Sequence, residues 1–240
     1  MNETYMEEYI NSQGQVYQRT KFQSIKMKIF AATKRIFDVG LALIGLIVLS
    51  PLFLIIAIAI KLDSQGPVFF RQQRTGKDGK LFTLYKFRSM EIDNDVHDFT
   101  KKDMHTRVGK VLRKTSLDEL PQLICILQTK MSFIGPRPWI PDYYENMNEV
   151  QRHRCDVRPG ITGLAQVKGR NDIDIFKKID YDLKYIQNYS FVQDIKIIFL
   201  TIKAVFTRKG VDAGKGTISN ELNDLKTQET MINVRIAKEV

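Results

Sequence analysis

Two cysteines, one tryptophan and three histidines are all that this 240-residue chain has of those residue types. Cys125 and Cys155 cannot build a disulfide framework, and no paired Cys-x-x-Cys suggests a zinc site, which points to a reducing, cytoplasm-facing compartment. His97, His105 and His153 lack metal-ligand spacing, and neither a Gly-x-Ser-x-Gly elbow nor a His-Glu-x-x-His run occurs. Internal repeats and low-complexity tracts are absent too. Acid is in short supply: 27 Asp+Glu stand against 37 Lys+Arg, a net charge of +10. That balance asks for an anionic partner: nucleic acid, an acidic membrane surface or a phosphorylated substrate. Nucleic acid is the weakest of these, because the basic residues sit beside an apolar run and lack an aromatic stacking module. With 43% hydrophobic and 27% charged residues the composition is that of a globular chain, and the length suits one domain.

A mean hydropathy of −0.23 hides one very uneven segment. From Val39 to Ile60 the chain runs VGLALIGLIVLSPLFLIIAIAI without a charge. At ~1.5 Å rise per residue, ~20 such residues cover a bilayer core. A secretory signal fits poorly, since the run is too long, starts too late and ends in Lys61-Leu62-Asp63. Only Ser50 and Pro51 interrupt it. Proline lacks an N–H and clashes with the carbonyl four residues back, so a kink is expected there, with Ser50 satisfying the freed backbone. Lys21, Lys26, Lys28, Lys34 and Arg35 precede the run, and Lys61, Arg71, Arg74, Lys77 and Lys80 follow it. Basic residues mark the cytoplasmic side, and both flanks qualify. A re-entrant helix bent at Ser50-Pro51 satisfies both; a simple span and a buried core helix are the alternatives.

The patterning elsewhere gives an α+β chain, mostly helical. Residues 1–20 read as a polar leader, 21–62 as an interfacial lead-in plus the re-entrant helix, 63–210 as a cytoplasmic catalytic domain, and 211–240 as a polar tail. Val68–Phe70 and Leu81–Tyr85 flank Gly76-Lys77-Asp78-Gly79 and predict a β-hairpin. Leu120–Leu127 is a short apolar helix, Tyr143–Arg154 is helical, and Val157–Arg170 is a Gly-rich loop with extended pieces. Phe191, Ile195, Ile198, Ile202 and Val205 fall at helical spacing, on a helix that packs on the core or lies on a membrane interface.

The sharpest chemical constellation is Ser116-Leu117-Asp118-Glu119-Leu120-Pro121-Gln122. Adjacent carboxylates at a loop-to-helix junction can divide labour, one attacking or moving a proton while the other holds a divalent cation. The same letters also spell a capping box, Ser116 with Glu119, although Pro121 sits awkwardly for that register. Arg137 lies between two prolines that restrict its backbone, which suits bidentate phosphate binding. Arg152, Arg154, Arg158, Lys168 and Arg170 could join it around a diphosphate, or form a solvated or lipid-facing basic patch. Lys86, in KFRSM, faces either a phosphate or the membrane. Gly210–Thr217 is one residue short of a P-loop and follows a helix rather than a strand. Asp93-Asn94-Asp95 matches the Asp-x-Asp of metal-dependent glycosyltransferases, a pattern acidic loops also produce by chance.

Four blocks taken in order resemble the bacterial sugar transferases, the monotopic polyprenyl-phosphate phosphoglycosyl transferases. They are KRIFDVGLALIGLIVLSPLFLIIAIAIKLDSQGPVFFRQQRTGKDGKLFTLYKFRSM, SLDELPQL, MSFIGPRP and VRPGITGLAQVKGRND, spanning Lys34 to about Gly210. The resemblance implies transfer of a phosphosugar from a UDP-sugar to undecaprenyl phosphate at the cytoplasmic face of the bacterial inner membrane. UMP leaves, and the product starts an exopolysaccharide, capsule, O-antigen or glycoprotein glycan. It implies Asp118 as nucleophile, giving a phosphosugar–aspartyl intermediate, and Glu119 as the Mg²⁺ ligand. Arg137 is the leading phosphate clamp, with Arg158 and Lys86 next, and Asp182 falls at a family acidic position that serves metal or uridine. It also implies the re-entrant helix that the charged flanks favour independently. Larger members carry extra N-terminal membrane domains; with about thirty-eight residues before its apolar run, this chain is expected to be a compact catalytic unit. Two other readings remain at this point, a UDP-releasing glycosyltransferase built on Asp93-Asn94-Asp95 and a non-catalytic lipid-binding scaffold.

Overall fold

A computed structural model describes residues 7–10, 16–19, 21–91, 105–169, 173–207 and 218–227, with side chains from Ile25 through Ala204 and over 218–227. Strands β1 (Glu7–Ile10) and β2 (Val16–Arg19) pair antiparallel within the stretch expected to be a leader. Two helices follow, α1 (Lys21–Val48) and α2 (Ser50–Asp63), bent by 61° at their junction. Pro51 is the cause. Its missing N–H would have bonded the carbonyl of Ile47, and the Ser50 hydroxyl donates to that carbonyl instead, at 2.8 Å. Among the described residues no single helix is long and apolar enough to cross a membrane, while the bent pair meets the length and composition test together.

Each arm is two-faced. Asp38, Ala42, Leu46, Leu49, Phe53, Ile56 and Ile60 turn towards the rest of the molecule. Ile36, Leu41, Ile44, Ile47, Ile55 and Leu62 lie outside, each more than half exposed. The first arm is pinned by polar contacts: Lys34 forms a buried ion pair with Asp194, Arg35 donates to the carbonyls of Ile126 and Met131, and Asp38 accepts from the amide of Phe133 at 3.3 Å.

The hairpin forms where the turn chemistry places it, as β3 (Phe69–Thr75) and β4 (Leu81–Phe87), antiparallel with Phe69 opposite Phe87 and Thr75 opposite Leu81. Gly79 takes a φ of 73° in the tip, a conformation open to glycine. Next come α3 (Arg107–Thr115) and α4 (Gln122–Leu127), the second starting two residues later than the apolar pattern indicates. Strand β5 (Ser132–Ile134) pairs in parallel with β6 (Gly160–Thr162), a pairing hidden in what reads as a Gly-rich loop. Between them the expected single helix is two short ones, α5 (Pro141–Glu145) and α6 (Glu149–Arg152), the second with an Asn148/Gln151 capping box.

Helices α7 (Leu164–Lys168), α8 (Ile175–Gln187) and α9 (Phe191–Thr207) complete the domain. A last helix, α10 (218–227), docks on the cluster around Trp139 and Tyr143 through Leu225, although this part of the tail is polar overall. The fold is α+β and mostly helical, its six strands forming three two-stranded pairs among the described residues.

Candidate active site

Ser116 ends α3 in the left-handed region, φ 58° and ψ 18°, and turns the chain into one 3₁₀ turn, Leu117–Glu119. Its side chain makes no capping bond, and α4 begins only after Pro121, so the capping box that the spacing allowed does not form. Leu117 and Leu120 pack into the cluster around Ile56 and Ile60 of α2, and Leu123 packs into the cluster around Ala42 of α1. Both arms of the bent helix therefore grip the segment that carries Asp118 and Glu119.

Asp118 is 8% exposed and makes no hydrogen bond or ion pair among the described residues. Burial pushes its carboxyl above the usual carboxylate range; Lys86 opposes, Glu119 adds to the rise, and Arg113 and Arg137 oppose more weakly. Glu119 is the contrary case. Burial works against its charge, but Arg137 and Lys86 outweigh it and hold the pKa down at about 2. Lys86 Nζ lies 2.8 Å and Arg137 Nη2 3.2 Å from Glu119 Oε1. Two adjacent carboxyls thus have environments that drive their affinities for protons apart, the pattern expected where one acts and the other holds charge.

The hairpin supplies the cations by parity. Successive strand residues face opposite ways, so Lys86 shares a face with Phe82 and Leu84, and Arg74, opposite Phe82, lies on that same face. Burial, and after it the neighbouring Arg137, lower the pKa of Arg74 to about 10, while Tyr143 and Glu119 work against the shift. Arg74 was not singled out from sequence; the hairpin's alternation is the signal that could have found it. Arg113, in the last turn of α3, is the other cation near Asp118 that motif reading passed over.

Arg137 owes its place to two interlocked loops. Gly160 N donates to Pro136 O and Gly135 N to Thr162 O, each at 2.9 Å. A Cβ on Gly160 would come within 2.1 Å of Gly135 N, and one on Gly163 within 2.2 Å of Gly135 O. Arg154 Nη2 then binds the Arg137 carbonyl at 2.8 Å, while its guanidinium stacks over Trp139 at 3.6 Å and pairs with Asp182 at 2.7 Å. Asp182 is buried, which raises its pKa against the pull of Arg154, and it reaches the site only through Arg154. Arg158 gives its Nε–H to Thr129 O at 2.9 Å and lines a separate cavity with Lys77, Lys80 and Lys130.

The structure gathers Asp118, Glu119, Lys86 and Arg137 and leaves Arg158 and Asp182 outside that group. Arg152 stacks on Tyr144, and Lys168 is exposed. Arg88, of KFRSM, ties down the chain after α2 through the carbonyls of Ser64 and Gln65. Arg170, His97, the Asp93-Asn94-Asp95 motif and the P-loop-like Gly210–Thr217 lie outside the described residues.

Among the described residues no group of three or more His, Cys, Asp or Glu side chains could hold a metal ion. The donor set nonetheless fits Mg²⁺ in its usual protein mode, one or two carboxylates completed by substrate phosphate oxygens. Glu119 stays ionised, both its cation contacts fall on Oε1, and Oε2 accepts no hydrogen bond among the described residues.

The bacterial sugar transferase family matches residues 29–208, three quarters of the chain, which therefore belongs to it and is an enzyme of the transferase class. The chain is 42% identical over 180 residues to the uncharacterized sugar transferase EpsL of Bacillus subtilis strain 168, covering 74% of this chain and 89% of that one. It is 39% identical over 197 residues to the exopolysaccharide production protein ExoY of Sinorhizobium fredii, covering 74% and 87%. With the UDP-glucose:undecaprenyl-phosphate glucose-1-phosphate transferase of Klebsiella pneumoniae the identity is 46% over 188 residues, but only 40% of that protein is covered.

Proposed function

We propose that this chain transfers a phosphosugar from a UDP-sugar to undecaprenyl phosphate on the cytoplasmic face of the bacterial inner membrane, by way of a phosphosugar–aspartyl intermediate. The observation that carries this is the divided acid pair, an unengaged Asp118 beside a Glu119 clamped by Lys86 and Arg137. An oxygen of Asp118 attacks the sugar-bearing phosphorus, the bond to the bridging oxygen breaks, and UMP leaves with the electron pair. The phosphate oxygen of the polyprenyl acceptor then attacks the same phosphorus, forming the lipid diphosphate and releasing the Asp118 carboxylate. A covalent intermediate lets a water-soluble donor and a lipid acceptor use one site in turn.

A carboxylate approaching a diphosphate needs positive charge around it, and Arg137 and Lys86 supply it next to the nucleophile. Mg²⁺, held by Glu119 and substrate oxygens, would add Lewis-acid stabilisation of the leaving phosphate. Arg154 and Asp182 are positioning residues that fix the backbone under Arg137. The bent helix supports a re-entrant placement: its outward face carries exposed large apolar side chains along both arms, and both flanks are basic. Since both arms grip the Leu117–Leu123 segment, that placement holds the acid pair at headgroup depth.

The test is nucleotide release by the full chain in detergent, with Mg²⁺, undecaprenyl phosphate and a panel of UDP-sugars. UMP is expected, lost in Asp118→Asn. UDP as product, lost on substituting Asp93 or Asp95 and kept in Asp118→Asn, would overturn the reading in favour of a glycosyltransferase. Membrane binding without any nucleotide product would make the chain a scaffold.

A further inference from the structure

Helix α10 lies beyond residue 208, where the family match ends, and packs on Trp139, two residues past Arg137. Ile218, Glu221, Leu222 and Leu225 recur at helical spacing and share one face. Leu225 is buried in a cluster with Trp139, with Tyr143 of α5 and with Ile175, Ile179 and Leu183 of α8, and Ile218 and Leu222 pack against that cluster. The Glu221 carboxylate makes two contacts there. Its Oε2 accepts from the Tyr143 hydroxyl and its Oε1 from Lys178 Nζ of α8, each at 2.6 Å. The Lys178 and Glu221 side chains are both 17% exposed, so these charge-assisted bonds are largely withdrawn from water, where each is stronger than at an open surface. One side chain of α10 thus ties α5 to α8.

Those two helices carry the two partners of Arg154. Trp139 stands just before α5, its ring 5.0 Å from that of Tyr143. Asp182 lies on the same face of α8 as Ile179 and Leu183. The Arg154 guanidinium stacks on Trp139, pairs with Asp182 and donates to the Arg137 carbonyl, so it can do all three only while α5 and α8 stay together. We propose that α10 is a strap that sets the aim of the phosphate clamp. Glu221 is a positioning residue in it, acting on the diphosphate of the UDP-sugar through Trp139, Arg154 and Arg137, a role that rests on Arg137 being the clamp. Loosening the strap lets Trp139 and Asp182 part, and Arg154 then releases the backbone under Arg137.

Trp139 is the one tryptophan in the sequence, so its fluorescence reads the strap directly in the full chain in detergent. In Glu221→Gln the emission should shift to the red as water reaches the ring. Titration calorimetry of that variant with UDP and Mg²⁺ should show about tenfold weaker binding, with KM for the UDP-sugar raised alike and kcat within about twofold of the wild type. A merely structural role would lower the fraction of protein that binds and leave the affinity of that fraction alone. Leu225→Asp, which puts a charge into the cluster, should have the larger effect; should it fail to fold, Glu221→Gln decides. A red-shifted Trp139 with UDP affinity unchanged, or neither property moved, would overturn the strap. Arg137→Gln in the same titration separates the two readings. Unchanged UDP affinity there sinks the clamp assigned under the proposed function, whereas affinity lost in Arg137→Gln and kept in Glu221→Gln sinks this inference alone.

Discussion

Asp118 and Glu119 are neighbours in sequence and opposites in environment. Asp118, the proposed nucleophile, is buried with no hydrogen-bond partner among the described residues, which is unfavourable for its charged form, so Asp118→Asn is expected to abolish UMP release and raise the melting temperature at neutral pH. A carboxyl whose folded pKa is raised costs stability above that pKa, and the cost disappears as pH falls through it. The stability gain of Asp118→Asn should therefore shrink on acidification, which thermal unfolding across pH would show. Glu119 has the reverse sign. With its pKa lowered from 4.5 to about 2, it contributes stability above the ordinary glutamate range that is lost as pH falls towards 2. Glu119→Gln should cost about 3 kcal/mol near neutrality, because it leaves Lys86 and Arg137 facing each other uncompensated, and the difference should have shrunk to less than half of that by pH 3. Denaturant unfolding of both proteins at pH 7 and pH 3 measures it.

At the level of elements, the two loops that interlock as β5 and β6 decide where Arg137 points. Their backbones approach closer than any Cβ permits, which makes Gly160 a packing requirement rather than a flexible joint. Gly160→Ala is expected to destabilise by roughly 2–3 kcal/mol, since the methyl must push Gly135 aside. In whatever folded protein remains, the displaced Arg137 should raise KM for the UDP-sugar more than it lowers membrane binding. Donor kinetics set beside a vesicle flotation assay distinguish a local shift of the clamp from general unfolding.

For the molecule as a whole, the proposed re-entrant placement turns on the bend between α1 and α2. Pro51→Ala restores the N–H that Ile47 lacks and frees the Ser50 hydroxyl, so the two arms should straighten towards one span. A protease-sensitive tag before Lys21 should be cleaved from the cytoplasmic side in the wild type and become protected in the variant. Unchanged cleavage would mean that the grip of Lys34, Arg35 and Asp38 on the domain holds the bend without the proline.

Local chemistry alone was enough for the parts of this protein whose cause is local. A proline in an apolar run bends it, glycines and a short polar turn make the hairpin, and helical spacing marks α9; the Asp118-Glu119 pair stands out as adjacent carboxylates at a loop-to-helix junction, and Arg137 because prolines flank it. The parallel pairing of β5 with β6 and the docking of α10 could not be read that way, since both depend on surfaces distant in sequence. The same holds for Arg74, visible only once strand parity is aligned, and for Asp182, whose acidic position hides a partner 28 residues away. Residue identity along the chain sets which side chains are available and where the backbone must bend. Which cation faces which carboxylate is settled in three dimensions, because it depends on burial and on loops meeting backbone to backbone, and neither is a property of neighbouring residues.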